Sequence, residues 1–281
     1  MTTQITGQRI APPRHLVEVN GTTLAVTRIG SGHSVLVIHG GGEDAAMLMP
    51  QAEALASAGL EAIVYDRRGT GASGREDWPG GGAGQHAADA AALIGALRLD
   101  RVTVLGVSSG GVIALAVAAG HPGCLARAIV WEPPAAGVIP GGAELTAQLM
   151  APIDAHLAAH PGDFVGAQAL LLELVLGFPV SVDDPAFEAA RANAEPMIRD
   201  EPAITLAAFT AEQLGGREIT LAVGSSPNEV VAGAVAVLAE LTGRPPVQVA
   251  ADHEVYLSDP SVLTAIVLAS QSGVDEPGGN T

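Results

Sequence analysis

Apolar and polar positions fall into short blocks along this chain, and the blocks change character twice. His15–Val19 and Thr23–Ile29 alternate around Asn20-Gly21, the pattern of two half-buried strands joined by a tight hairpin. From residue 34 the pattern changes: Ser34–His39 is a continuous apolar run, as in a strand covered on both faces, and Glu61–Asp66, Arg101–Val107 and Leu125–Trp131 read as further buried strands. Between them, Ala45–Ala58, Gln85–Leu97 and Val112–Ala119 read as helices. Over residues 135–214 the rhythm breaks into helical pieces with Pro-Gly interruptions and no convincing strand. It resumes with a strand at Glu218–Val223, a helix at Glu229–Thr242, a short strand at Val247–Ala250 and a last helix at Val262–Ser270.

Strands alternating with helices predict an α/β fold, a mostly parallel central sheet with helices on both faces. The expected division is a first core part over 1–134, a helical insertion over 135–214 acting as a lid, a second core part over 215–272, and a disordered tail over 273–281. All four Phe (164, 178, 187 and 209) fall in the insertion, where they either line an apolar pocket or pack the insertion onto the core.

Composition works mainly by exclusion. A formal net charge of −17 argues against nucleic acid and strongly anionic substrates. All 13 basic residues are Arg, so Schiff-base chemistry, a phosphate-loop lysine and a Ser–Lys dyad are excluded. Met1–Pro13 has no apolar core of a signal peptide, and no run reaches the roughly 18 apolar residues that span a bilayer. Cys124 is the single cysteine, which with the missing leader predicts a cytoplasmic protein without an internal disulfide. Asp252-His253-Glu254 lacks a partner with ligand spacing, so neither a metal nor another cofactor is expected.

The chemistry concentrates at Gly106-Val107-Ser108-Ser109-Gly110, between a buried strand and an apolar helix. There G-x-S-x-G is a nucleophile elbow: the flanking positions must be small for so tight a turn, and the turn pushes the Ser108 hydroxyl out of the sheet top. The Ser109 N–H lies at the helix N-terminus, aimed at whatever Ser108 attacks.

Taken in order, His39-Gly40-Gly41-Gly42, Asp66-Arg67-Arg68-Gly69-Thr70-Gly71-Ala72-Ser73-Gly74, the Ser108 elbow and the late His253 resemble the α/β-hydrolase superfamily over about residues 20–270. The resemblance implies a Ser108 nucleophile, His253 as its base in the loop after the last strand, and an oxyanion hole from the N–H groups of Gly40, Gly41 and Ser109. It makes the Asp66–Gly74 motif architectural. The absence of an Asp nucleophile argues against the dehalogenase and epoxide-hydrolase branches.

Most members place the third triad residue, an Asp, after the strand that follows the lid. Here that loop, Gly224-Ser225-Ser226-Pro227-Asn228-Glu229, has none. The alternative is Glu132, ending the strand after the elbow helix in Trp131-Glu132-Pro133-Pro134. That segment resembles zearalenone-type lactonases, whose acid is a Glu in a similar place. In the bland reading Glu132 merely closes the strand beside Pro133-Pro134. Trp131 and Phe178 are the candidate substrate contacts, although the lid lacks the Trp that serves such lactonases.

These features predict a cofactor-free serine hydrolase acting through Ser108, His253 and Glu132 on a small apolar ester, or on a lactone. Two alternatives stay open: a binding member of the fold that holds an apolar ligand with little or no turnover, and hydrolysis of a C–C bond by the same triad.

Overall fold

The computed structural model describes residues 13–176, 179–183 and 187–272. Eight strands form one sheet in the order β1-β2-β4-β3-β5-β6-β7-β8. β1 (Arg14–Val19) and β2 (Thr22–Gly30) make the expected hairpin around Asn20-Gly21, and β2 also runs antiparallel to β4 (Glu61–Tyr65). β3 (Ser34–Ile38), β4, β5 (Val102–Val107), β6 (Leu125–Trp131), β7 (Ile219–Val223) and β8 (Val247–Gln248) are mutually parallel.

The period-2 geometry of a strand divides the apolar runs between two cores. Leu36 and Ile38 of β3 face one way, towards α2 (Gly82–Ala96) and α3 (Ser109–Gly120); Val35 and Val37 face the other, towards α1 (Met49–Ser57). Residues on both faces are fully buried, which explains the unbroken apolar runs.

Among the described residues six α-helices lie between β6 and β7: α4 (Gly142–Ala159), α5 (Phe164–Leu176), α6 (Glu188–Arg191), α7 (Ala194–Arg199), α8 (Glu201–Thr205) and α9 (Ala211–Leu214). They carry a small core of their own, including Ile153, Ala167, Leu171 and Ile198. α10 (Glu229–Thr242), α11 (Val255–Ser258) and α12 (Ser261–Ser272) complete the chain. The tail expected over 273–281 lies outside the described residues.

One boundary differs from the pattern in a way that matters for the site. The helix expected from Ala45 begins only at Met49. Asp66 Oδ1 takes the Ala45 N–H at 2.9 Å, and Asp44 Oδ1 takes those of Ala46 and Met47 at 2.9 and 3.1 Å. These side-chain acceptors hold the segment in turns, and Pro50 opens the helix proper.

The Asp66–Gly74 loop is knitted into the core as the motif implied. Asp66 Oδ2 accepts the Ala72 N–H at 2.7 Å, and Arg68 pairs with Asp89 through two bonds of 2.7 and 2.8 Å. Both partners of that pair are 2% exposed at the side chain. Removing one half strands the other charge away from water, so Asp89→Ala should lower the unfolding free energy by about 3–5 kcal/mol, read from urea denaturation.

Candidate functional site

The elbow has the strain its motif demands. Ser108 sits at φ 52°, ψ −127°, between β5 and α3. A Cβ on Gly106 would collide with the Gly110 carbonyl, and one on Gly110 with the Ile38 carbonyl, so both positions must be glycine. The Ser108 N–H is tied to Trp131 O at 2.9 Å, which locks the elbow to the end of β6. Among the described residues nothing hydrogen-bonds to Ser108 Oγ.

Glu132, the residue after β6, also has positive φ, at 43°. Non-glycine residues in this region cost on the order of 1–3 kcal/mol, and such strain collects at functional sites. Its backbone is fixed by Glu132 N–H to Ala222 O at 3.0 Å, and its side chain is only 3% exposed. Oε2 meets His253 Nδ1 at 2.5 Å, and Oε1 accepts the Gly224 N–H at 2.8 Å. Burial alone would raise the Glu132 carboxyl; the bonds from His253 and Gly224 outweigh it and hold the group below the usual carboxylate range.

The loop after β7 therefore contributes a backbone donor to Glu132. Its polar side chains are directed elsewhere: Asn228 caps α10 by accepting the Val231 N–H at 2.9 Å, and Glu229 is exposed in the first turn of that helix. Gly224 lacks room for a side chain, since a Cβ there would lie 2.5 Å from Ala251 O and 2.9 Å from Glu132 Oε1.

Trp131 departs from its expected role. It is 0% exposed, so it is a core side chain with no surface for a substrate. Its indole N–H donates to His253 O at 2.7 Å, which makes it a support for the loop carrying His253. Phe178 lies outside the described residues.

On the other side of the elbow is the His39–Gly42 turn. A Cβ on Gly40 would lie 3.0 Å from Ser108 Cβ, so the turn passes directly against Ser108. Here the structure corrects the expected donor set: the Gly40 N–H is already given to Glu43 Oε2 at 2.6 Å. The Gly41 N–H has no acceptor among the described residues. The Gly40 carbonyl, part of the same peptide unit as the Gly41 N–H, accepts from His39 Nδ1 at 2.8 Å and from Arg67 Nη2 at 3.2 Å. Burial, reinforced by Arg67, drives the His39 ring well below its ordinary value, so it stays neutral. With Nε2 accepting the Arg67 N–H at 3.2 Å, Nδ1 is the protonated nitrogen. Arg67 also binds Glu201 of α8 at 2.5 Å and so joins the six-helix segment to this turn.

Sequence reasoning missed Glu43, Arg67 and Glu201 at this site. An acidic residue directly after a glycine turn carried the only signal for Glu43, and nothing local marks Glu201 as a partner of Arg67.

With this geometry in place, comparison with known proteins is informative. Residues 31–214 match the family described as serine aminopeptidase, S33. The chain belongs to that family. It is 34% identical over 119 residues to the serine hydrolase BPHL of Mus musculus, a match covering 41% of this chain and 41% of that protein. The chain thus spans well under half the length of that curated relative. A thermophilic esterase from Thermogutta terrifontis superposes with a TM-score of 0.67 at 22% identity, covering 94% of this chain and 100% of the other. Est816, described as an N-acyl homoserine lactone degrading enzyme, gives 0.67 at 21%, covering 91% and 99%. At such identities the likeness establishes the α/β-hydrolase fold. No helix among the described residues is long and apolar enough to cross a membrane.

Because Glu132 is held below its ordinary value in the folded chain, its stabilising contribution is complete above the unfolded carboxyl value and is lost as pH falls through the lower folded one. Thermal midpoints measured from pH 7 downward should fall in the acid range, and Glu132→Gln should show a shallower fall than the native chain.

Proposed function

We propose that the protein hydrolyses small, mainly apolar carboxylic esters or lactones through an acyl-enzyme, with Ser108 as nucleophile, His253 as base and Glu132 as the acid that orients it. The observation that carries the reading is the bond of 2.5 Å from His253 Nδ1 to the buried Glu132 carboxylate, one residue after the Trp131 carbonyl that holds the strained Ser108. With Nδ1 committed to Glu132, Nε2 is the nitrogen that exchanges a proton with the Ser108 hydroxyl.

In the first half-reaction Ser108 Oγ attacks the carbonyl carbon while His253 Nε2 takes its proton. Negative charge moves to the carbonyl oxygen, which the N–H groups of Gly41 and Ser109 stabilise; removing one such donor typically costs about 3–4 kcal/mol. His253 then gives the proton to the leaving alkoxide, and the alcohol departs; from a lactone it stays tethered to the acyl group. In the second half-reaction His253 takes a proton from water, hydroxide equivalent adds to the acyl carbon, and Ser108 leaves with the proton returned. Glu132 holds the ring in the tautomer that presents Nε2 and offsets the imidazolium charge.

The ester class is supported by names among the relatives, an esterase and a lactone-degrading enzyme. The Glu132-Pro133-Pro134 segment supports a zearalenone-lactonase-like placement of the acid. The helices between β6 and β7 serve in this reading as the lid over the acyl pocket, anchored by the Arg67–Glu201 pair and by Asp200, which accepts from Trp78 Nε1 at 3.0 Å.

Ser108→Ala should abolish both p-nitrophenyl ester turnover and labelling by a fluorophosphonate, with the thermal midpoint retained. Labelling that persists in this variant would exclude Ser108 as the nucleophile.

A further inference from the structure

Glu43 has no place in the three-residue relay, yet it touches both halves of the site. It stands two residues after Gly41 and is 7% exposed. Oε2 accepts the Gly40 N–H at 2.6 Å, and Oε1 accepts the Tyr256 hydroxyl at 2.7 Å. Tyr256 is itself 3% exposed, lies in α11 three residues after His253, and meets the His253 ring in a T-shaped arrangement at a centroid distance of 6.5 Å and 82°. One carboxylate therefore bridges the glycine turn beside Ser108 and the helix that follows the histidine.

We propose that Glu43 is a positioning residue: its buried carboxylate clamps the Gly40 N–H and the Tyr256 hydroxyl, and so fixes the Gly41 N–H relative to His253. This inference rests on the serine-hydrolase reading above. The Gly40–Gly41 peptide is held on both sides. His39 and Arg67 grip its carbonyl, and Glu43 grips the preceding N–H, leaving the Gly41 N–H as the free donor in a fixed direction. Donors fixed beforehand need no reorganisation when negative charge develops on a substrate oxygen.

An ionised carboxylate in this place is not an economical way to stabilise a fold. Burial pushes the Glu43 carboxyl above its usual range; the bonds from Tyr256 and Gly40 pull it back, Glu254 raises it further and His253 lowers it. Replacing the carboxylate by an amide removes the cost of burying charge while keeping the shape. A purely structural residue would lose stability and activity together. A positioning residue should lose activity alone.

The test compares the native chain with Glu43→Gln, Tyr256→Phe and the double variant in p-nitrophenyl ester hydrolysis, fluorophosphonate labelling and thermal unfolding. Each single variant should lower kcat by about 10–100-fold with KM within about twofold, the scale on which misplacement of a supporting group acts. The double variant should be no worse than the poorer single one, because both substitutions break one bridge. The Glu43→Gln midpoint should equal or exceed the native one. Native kcat in both single variants, or a loss confined to Glu43→Gln and accompanied by a lowered midpoint, would overturn the inference. A native chain that neither turns over the ester nor labels would instead overturn the Ser108 reading on which the inference rests.

Discussion

The site depends on one buried carboxylate held in a strained place. Glu132 leaves β6 at positive φ, and its two oxygens are divided between His253 Nδ1 and the Gly224 N–H. That division joins three parts of the chain that are far apart in sequence: the end of β6, the turn after β7 and the loop before α11. Burying a carboxylate is unfavourable unless donors meet its lone pairs. Here both donors are present, and they are strong enough to hold the group ionised against its own burial. The neighbouring Trp131 reinforces the arrangement by binding the His253 carbonyl from inside the core. A substitution at 131 thus acts on the histidine through its main chain.

The opposite side of the site follows a different rule. Under the proposed mechanism its working groups are backbone N–H groups, and what side chains contribute is their direction. His39 and Arg67 bind the Gly40 carbonyl, while Glu43 binds the Gly40 N–H. The glycine turn is consequently neither loose nor self-supporting. It is suspended between the Asp66–Gly74 loop, α8 through Glu201, and α11 through Tyr256. This explains why the Asp66–Gly74 motif, structural in itself, lies next to the elbow: the arginine that anchors α8 also orients the peptide beside Ser108.

Much of this was legible in the residues. Largely apolar runs located the parallel strands, because burial on both faces leaves few polar positions; Leu125–Trp131 and Glu229–Thr242 have the predicted bounds. The elbow was legible because its geometry tolerates few residue types. The pairing of Glu132 with His253 was reached only by elimination and resemblance, since no local pattern links residues 121 positions apart. Two readings failed for physical reasons. Trp131 is expected to contact substrate, but its place in a strand turns the ring into the core. The resemblance makes Gly40 an oxyanion donor; a glutamate three residues on claims its N–H, and sequence alone does not show where that side chain folds back.

The proposed mechanism requires that Glu132, and not a carboxylate of the loop after β7, serves His253. The most direct measurement is kcat/KM for ester hydrolysis in Glu132→Gln beside Glu229→Gln. Exchanging a triad carboxylate for its amide costs on the order of 10⁴ in turnover, so Glu132→Gln should fall by about that factor while Glu229→Gln, altering only an exposed helix start, stays within about twofold of the native chain. Near-native activity in Glu132→Gln, with the loss appearing in Glu229→Gln, would contradict it.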